Sequence, residues 1–270
     1  MSTVIIQGKT IILGKTIFGA TNAIVTSGLV YYIAPQNTSS YSGSGTTVND
    51  LSGNGNTTTL LATTTNLPTY SYPSFNYANV TSDNAYLSAN SASSIDNLAP
   101  MTASMWLNIS SGQLATGGGV LLYKSDNNVQ SGWFLEYGNS IGNNAGINGL
   151  NMCIVATTNA RHCIDAAQVS TGVWLNIVAT WDGVFPSPTI QFYINGVLNT
   201  STPVLNTVGA GTHSSDATYP LWFGKGIGVG TGSNSVAYLG SSGIILLYNR
   251  VLSSTEILQN FNATRSIYGV

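Results

Sequence analysis

The sequence predicts an all-β fold, a two-sheet antiparallel sandwich preceded by an extended N-terminal arm, and three observations carry that expectation. Residues 173–197, VWLNIVATWDGVFPSPTIQFYINGV, contain two runs of β-formers, 174–180 and 189–194. Asn195-Gly196 follows them and tolerates the positive φ that a tight hairpin turn requires. In the stretch MTASMWLNI, residues 101–109, Met101, Ala103, Met105, Leu107 and Ile109 share one side of a strand and Trp106 takes the other. Gly/Asn/Ser-rich segments, such as 138–149 and 199–220, punctuate the chain and read as polar loops between strands.

At 270 residues the chain suits one large domain with an appendage, divided here into an arm, 1–27, and a sandwich, 28–270. Only 6% of residues are charged, against about 25% in an average soluble protein, so Ser, Thr, Asn and Gly must keep the surface wet. A net charge of −2, with seven basic residues spread over the chain, excludes a nucleic-acid partner, which needs clustered Lys and Arg. No apolar run reaches the roughly 20 residues of a membrane span. The N-terminus lacks a basic n-region, a continuous apolar run and a small-residue cleavage site, so no secretory signal is expected.

The arm repeats Ile-Ile-x-Gly-Lys-Thr six residues apart. A phosphate loop would need Gly five residues before Gly14-Lys15, and position 9 is Lys. An apolar terminal arm stays ordered only when tied down. Ile5, Ile6, Ile11, Ile12, Ile17 and Phe18 are therefore expected to dock on a partner protein, the alternative being an extra edge strand.

Residues 29–33 open the domain as a strand, and a long surface loop follows to residue 56. Asp50, Asn54 and Asn56 concentrate oxygen ligands there, which suits a structural Ca²⁺; the same residues also suit an Asx- and Gly-shaped turn with no metal. Strands are expected over 117–124 and 133–137, then a hairpin over 150–157 and 162–165. Cys153 and Cys163 lie symmetrically about Thr158-Asn159, as either a cross-strand disulfide or two half-buried thiols. His162 reads as an exposed residue at the hairpin tip. Ser253, with Glu256 three residues on, forms a capping box for one short helix, whose corner Tyr248, Leu252 and Ile257 anchor.

These landmarks resemble the laminin G-like, concanavalin A-like jelly rolls. The resemblance lies in Trp174 through Trp181-Asp182-Gly183, in Phe192-Tyr193-Ile194-Asn195-Gly196, and in Gly28-Leu29-Val30 with the Asp50–Asn56 loop. It is most specific in the closing strand from Gly240 to Ile257, with its Tyr248-Asn249-Arg250. It covers 28–270 and implies a jelly roll of about 12–14 strands by domain size. Many members carry an acid before the core of the closing strand; Gly243 and Ile244 stand here, which removes one cation ligand. The tail 259–270 resembles laminin G-like proteins of tailed phages and large DNA viruses.

Glycoside hydrolases of this fold need two facing carboxylates. The chain has two glutamates, Glu136 and Glu256; Glu256 belongs to the helix cap and Glu136 is isolated, so no enzyme is expected. His162 and His213 lack triad or metal neighbours, and there is no Gly-x-Ser-x-Gly elbow. The resemblance instead implies a virion structural protein, a capsid decoration or fibre component. It would be assembled in the host cytoplasm and displayed on the virion surface, its arm holding other virion proteins or a homotrimer. The alternative is an adhesin for host glycans, with Trp133, Tyr137, Tyr219 and Trp222 as an aromatic platform or, alternatively, as core.

Overall fold

Alternating strands stack here as two antiparallel sheets across one core. The computed structural model describes residues 3–6, 9–12, 23–63, 65–78, 85–114, 118–126, 131–138, 148–185, 187–226 and 237–270. The terminal repeat pairs with itself: β1 (Thr3–Ile6) and β2 (Lys9–Ile12) form a two-stranded sheet of their own, Thr3 opposite Ile12. This places Ile5, Ile6, Ile11 and Ile12 in a hairpin, while Ile17 and Phe18 lie outside the described residues.

The sandwich opens with β3 (Leu29–Ile33), β4 (Thr47–Val48), β5 (Thr58–Ala62), β6 (Thr69–Ser71), β7 (Ser74–Ala78) and β8 (Ala85–Ala89). Its middle is β9 (Met101–Ile109), β10 (Gly118–Lys124), β11 (Trp133–Gly138), β12 (Gly149–Ile154), β13 (Thr158–Asp165) and β14 (Trp174–Trp181). Then come β15 (Ile190–Ile194), β16 (Val197–Leu198), β17 (Leu205–Ala210), β18 (Leu221–Phe223), β19 (Leu239–Tyr248) and helix α1 (Ser254–Thr264). The nine-stranded sheet runs β17-β13-β12-β11-β10-β18-β8-β5-β4, and the eight-stranded sheet β16-β15-β14-β9-β19-β7-β6 with β3 also on β19. Seventeen described strands in these two sheets exceed the expected 12–14. Two- and three-residue strands such as β4, β6, β16 and β18 are too short to leave an alternation signal.

The expected face of β9 lies in the main core, with Leu135, Leu150, Ile177, Phe192 and Ile245. Trp106 points the other way, into a second core under α1. It stacks on Tyr268 (centroids 4.4 Å apart) and Phe261 (5.8 Å), and its Nε1 donates to Thr264 Oγ1 at 2.8 Å. The capping box of Ser253 and Glu256 starts α1, and Tyr248, Leu252 and Ile257 anchor that corner as expected. Asn195 (φ 52°) and Gly196 (φ 78°) make the turn between β15 and β16.

The structure revises three expectations and decides the open question of the cysteine pair. Residues 23–27, assigned to the arm, belong to the sandwich: Val25 N donates to Asn260 Oδ1, Tyr248 Oη to Val25 O, and Arg250 Nε to Ser27 O. The loop 199–220 contains β17, an edge strand on β13 whose half-exposed pattern hides it among polar residues. The cysteines are not opposite each other. Cys153 faces Arg161 and Cys163 faces Asn151, an offset of two residues that leaves two buried free thiols. Cross-strand diagonal neighbours sit about 7–8 Å apart, beyond the reach of a disulfide. Burial pushes both thiols up to about 12. His162 lies within β13, half-buried against Phe192, and not at the hairpin tip.

Candidate functional site

The Asp50 loop closes on itself. Asp50 Oδ1 accepts from the N–H groups of Tyr32 and Ser52, both at 2.9 Å, and Oδ2 accepts from Ser52 Oγ at 2.8 Å and Asn56 N at 2.9 Å. Asn54 and Asn56 both turn their amide nitrogens to Val30 O, and Asn56 Oδ1 accepts from Ser94 Oγ. A carboxylate has about four lone-pair sites, and here four donors fill them. Ca²⁺ needs six to eight oxygens turned inward, so this donor set does not fit a cation. Among the described residues, no three His, Cys, Asp or Glu side chains gather as a metal site.

Of the four aromatics read as a platform, Trp133 and Tyr137 are in the main core, 0% and 1% exposed. Side chains on a strand alternate faces. On β11 the inward phase takes Trp133, Leu135 and Tyr137, and the outward phase takes Phe134 and Glu136. Tyr219 is half-buried in the turn before β18. Trp222 does face outward, because Leu221 and Phe223 on either side of it enter the core.

Around Trp222 the outer face of the nine-stranded sheet carries a partly open patch. Ser88 of β8 is paired with Trp222, and Thr59 of β5 with Ser88. Tyr86, two residues along β8, meets the Trp222 ring edge-on at 6.0 Å. Burial along β8 alternates, so Tyr86 and Ser88 are half-exposed while Ala85, Leu87 and Ala89 are buried. That alternation was readable in the sequence AYLSA and would have marked Tyr86. The Lys225 ammonium rests over both rings, 4.4 Å from Tyr86 and 4.7 Å from Trp222. Burial lowers its pKa.

Away from the patch the same face becomes an enclosed band. Paired positions run Trp222, Tyr123, Phe134, Cys153 and Arg161 across five strands. Trp222 stacks on Tyr123 at 5.9 Å, Tyr123 on Phe134 at 6.0 Å, and the Arg161 guanidinium lies over Phe134 at 5.5 Å. Tyr123 Oη donates to Asp126 O at 2.6 Å, and burial lifts this phenol to about 12. Beside Arg161, Glu136 Oε1 accepts from Asn151 Nδ2 at 2.9 Å and lies 3.7 Å from Arg161 Nη1. Burial raises the Glu136 pKa against the pull of Arg161 and Asn151.

A buried lysine holds the turn that feeds Trp222. Lys124 Nζ, fully buried, lies 2.7 Å from Asp96 Oδ1 and 3.5 Å from Asp216 Oδ1, and donates to the carbonyls of Tyr219 and Asp216. Asn97 N donates to Asp216 Oδ1 at 2.6 Å, and Asp216 N to Asn97 Oδ1 at 3.1 Å. The 216–219 turn is thus pinned to β10 from one side and to the 96–97 turn from the other. Burial raises the Asp216 pKa, opposed by Lys124, and lowers that of His213 beside it. A separate open cleft of about 530 Å³ is lined by Thr65, Leu67, Pro68, Asn76 and Ala78 among others, and none of the described lining residues is charged.

The binding domain of botulinum neurotoxin serotype D superposes with a TM-score of 0.58 at 14% identity, covering 88% of this chain and 52% of that one. The receptor-binding domain of botulinum neurotoxin type G gives 0.53 at 15%, covering 87% and 51%. The binding domain of Paraclostridial Mosquitocidal Protein 1 gives 0.54 at 15%, covering 87% and 52%. The chain therefore spans about half the length of these neighbours, and at such identity the likeness concerns the fold. No curated protein sequence matches the chain. The model of the laminin G type of the concanavalin A-like lectin/glucanases superfamily matches residues 81–258, more than half of the chain, and the chain belongs to that family.

Proposed function

We propose that this chain is a carbohydrate- or receptor-binding β-sandwich that takes a glycan on the outer face of its nine-stranded sheet. The observation that carries this reading is the patch of Tyr86 and Trp222, half-exposed on neighbouring strands with Ser88 and Thr59 beside them. Ring faces and edges suit the C–H side of a sugar, and hydroxyls at strand spacing suit its polar side. The superfamily contains lectins, and the structural neighbours named above are binding domains; both support the reading.

Binding is favoured over glycoside hydrolysis by the placement of acids on this face. Glu136 is turned to Asn151 and Arg161. Asp165, two strands away and two residues along, lies roughly 12 Å from it by strand spacing and rise, outside the ~5–9.5 Å of hydrolase acid pairs. Asp165 also caps its own turn, accepting from Ala167 N.

A glycan array probed with the protein and its Trp222→Ala and Trp222→Phe variants tests the proposal. Trp222→Ala should lose binding by about tenfold or more while still unfolding cooperatively, and Trp222→Phe should keep most of it. Equal binding by all three would remove the patch from the site.

A second reading concerns display. We infer that the hairpin β1–β2 anchors the module to a larger particle, a virion surface being the setting the tail resemblance suggests, with virion proteins or a trimer as partners. Its support is that the hairpin pairs with no sandwich strand among the described residues, whereas the chain docks on the sandwich from Ala23 onward. Deleting residues 1–22 should leave the melting temperature and glycan binding intact and abolish incorporation into particles; retained incorporation would refute the anchor.

A further inference from the structure

We infer that the sugar taken at this patch is acidic, carrying a carboxylate or a sulfate ester that pairs with Lys225; the inference rests on the patch being the glycan site. Lys225 differs from the other inward-held cations. Lys124, Arg161 and Arg250 each face a carboxylate, at 2.7, 3.7 and 2.6 Å, and Arg265 is exposed, where water serves it. Among the described residues Lys225 has two aromatic rings and no acidic or hydrogen-bonding partner.

An ammonium carries three N–H donors. Ring faces attract its charge without accepting those bonds as an oxyanion does. Partial burial already strips water from it, as its lowered pKa reflects. An incoming oxyanion would supply the missing acceptor and offset that desolvation, in a setting less screened than open solvent. A neutral sugar would leave the ammonium partly covered and still unpaired, which disfavours it. The patch is thus complete for an acidic residue: Tyr86 and Trp222 for the ring, Ser88 and Thr59 for hydroxyls, Lys225 for the anion.

Among the described residues, the neighbouring positions do not oppose an anion. On the strands that form the patch, the outward residues beside Trp222 are Thr59, Leu61, Tyr86 and Ser88, none of them acidic.

The test is an array of matched neutral, carboxylated and sulfated glycans, probed with full-length protein and with Lys225→Gln, Lys225→Arg and Trp222→Ala. The bound set should be the acidic members. Lys225→Gln should weaken them by about tenfold or more, Lys225→Arg should retain them, and added salt should reduce binding by the parent protein but not the residual binding by Lys225→Gln. The carboxylated and sulfated arms tell which anion is used. Neutral glycans bound as well as acidic ones, with Lys225→Gln unchanged and Trp222→Ala defective, would overturn the acidic assignment and leave the platform standing. No binding to any glycan would overturn both.

Discussion

Replacing Lys124 with Met keeps most of the side-chain stem and deletes the ammonium. In the folded protein that ammonium lies against Asp96 and Asp216 and donates to the carbonyls of Asp216 and Tyr219, with no solvent contact. Asp216 is also fully buried, and its Oδ2 has no protein hydrogen-bond partner. Removing one member of a buried pair costs about 3–5 kcal/mol, because the charge left behind has lost its counter-ion. With a urea slope of about 2–3 kcal/mol/M, the unfolding midpoint at pH 7 should fall by about 1–2 M, followed by the fluorescence of the buried Trp106, Trp133 and Trp181. The loss should shrink on acidification. Without Lys124 the Asp216 pKa, already raised by burial, rises further in the fold. A raised folded-state pKa contributes stability at low pH that is lost as pH rises through it, so the variant recovers as its carboxylates protonate. Burial lowers the His213 pKa against the pull of Asp216, so an imidazolium formed there at low pH faces the same carboxylate and adds to the variant's recovery. A loss below about 1 kcal/mol at pH 7, or one that grows toward pH 5, would refute the role given to this lysine.

Glu256 is held down to about 2 by Arg250, with the Ser253 N–H also bonding it. Its folded pKa is depressed, so its contribution is present above the ordinary 4.5 and lost as pH falls from there toward 2. Glu256→Gln should flatten that part of the stability curve, and an unchanged acid limb would show that the pair is inert. For the Asp50 loop, millimolar calcium and chelator should give the same melting temperature. Asp50→Ala should cost about 2–4 kcal/mol, since it orphans the N–H groups of Tyr32 and Asn56. A calcium-dependent rise in melting temperature would overturn the closed-turn description.

Local patterns were legible wherever one period or one turn carried the information. The alternation of Met101 to Ile109 gave both faces of β9, Asn195-Gly196 marked a turn, and Ser253 with Glu256 marked a helix start. Each depends on residues within a few positions of one another. For β11 the sequence left platform and core both open: Trp133 and Tyr137 share a face, but only pairing with β10 and β12 decides that the shared face is the inner one. The cysteine pair stayed open for the same reason, since a shift of two residues in the β12–β13 register separates thiols that looked symmetric in the chain.

The sequence by itself determined the class of fold, the hairpin chemistry and the capped corner under α1, because these follow from side-chain period and backbone preference. Tertiary structure alone decided the proposed patch. Tyr86 and Trp222 become neighbours only through the pairing of β8 with β18, and Lys225 finds both rings only because it follows the outward Trp222 at the end of that strand. Lys124, one more residue of an apolar strand in the sequence, becomes a buried counter-ion only when the turns of Asp96 and Asp216 fold over it. Charge pairing and aromatic contact act across the sheet, between residues brought together from separate elements, and no local pattern encodes which of them will meet.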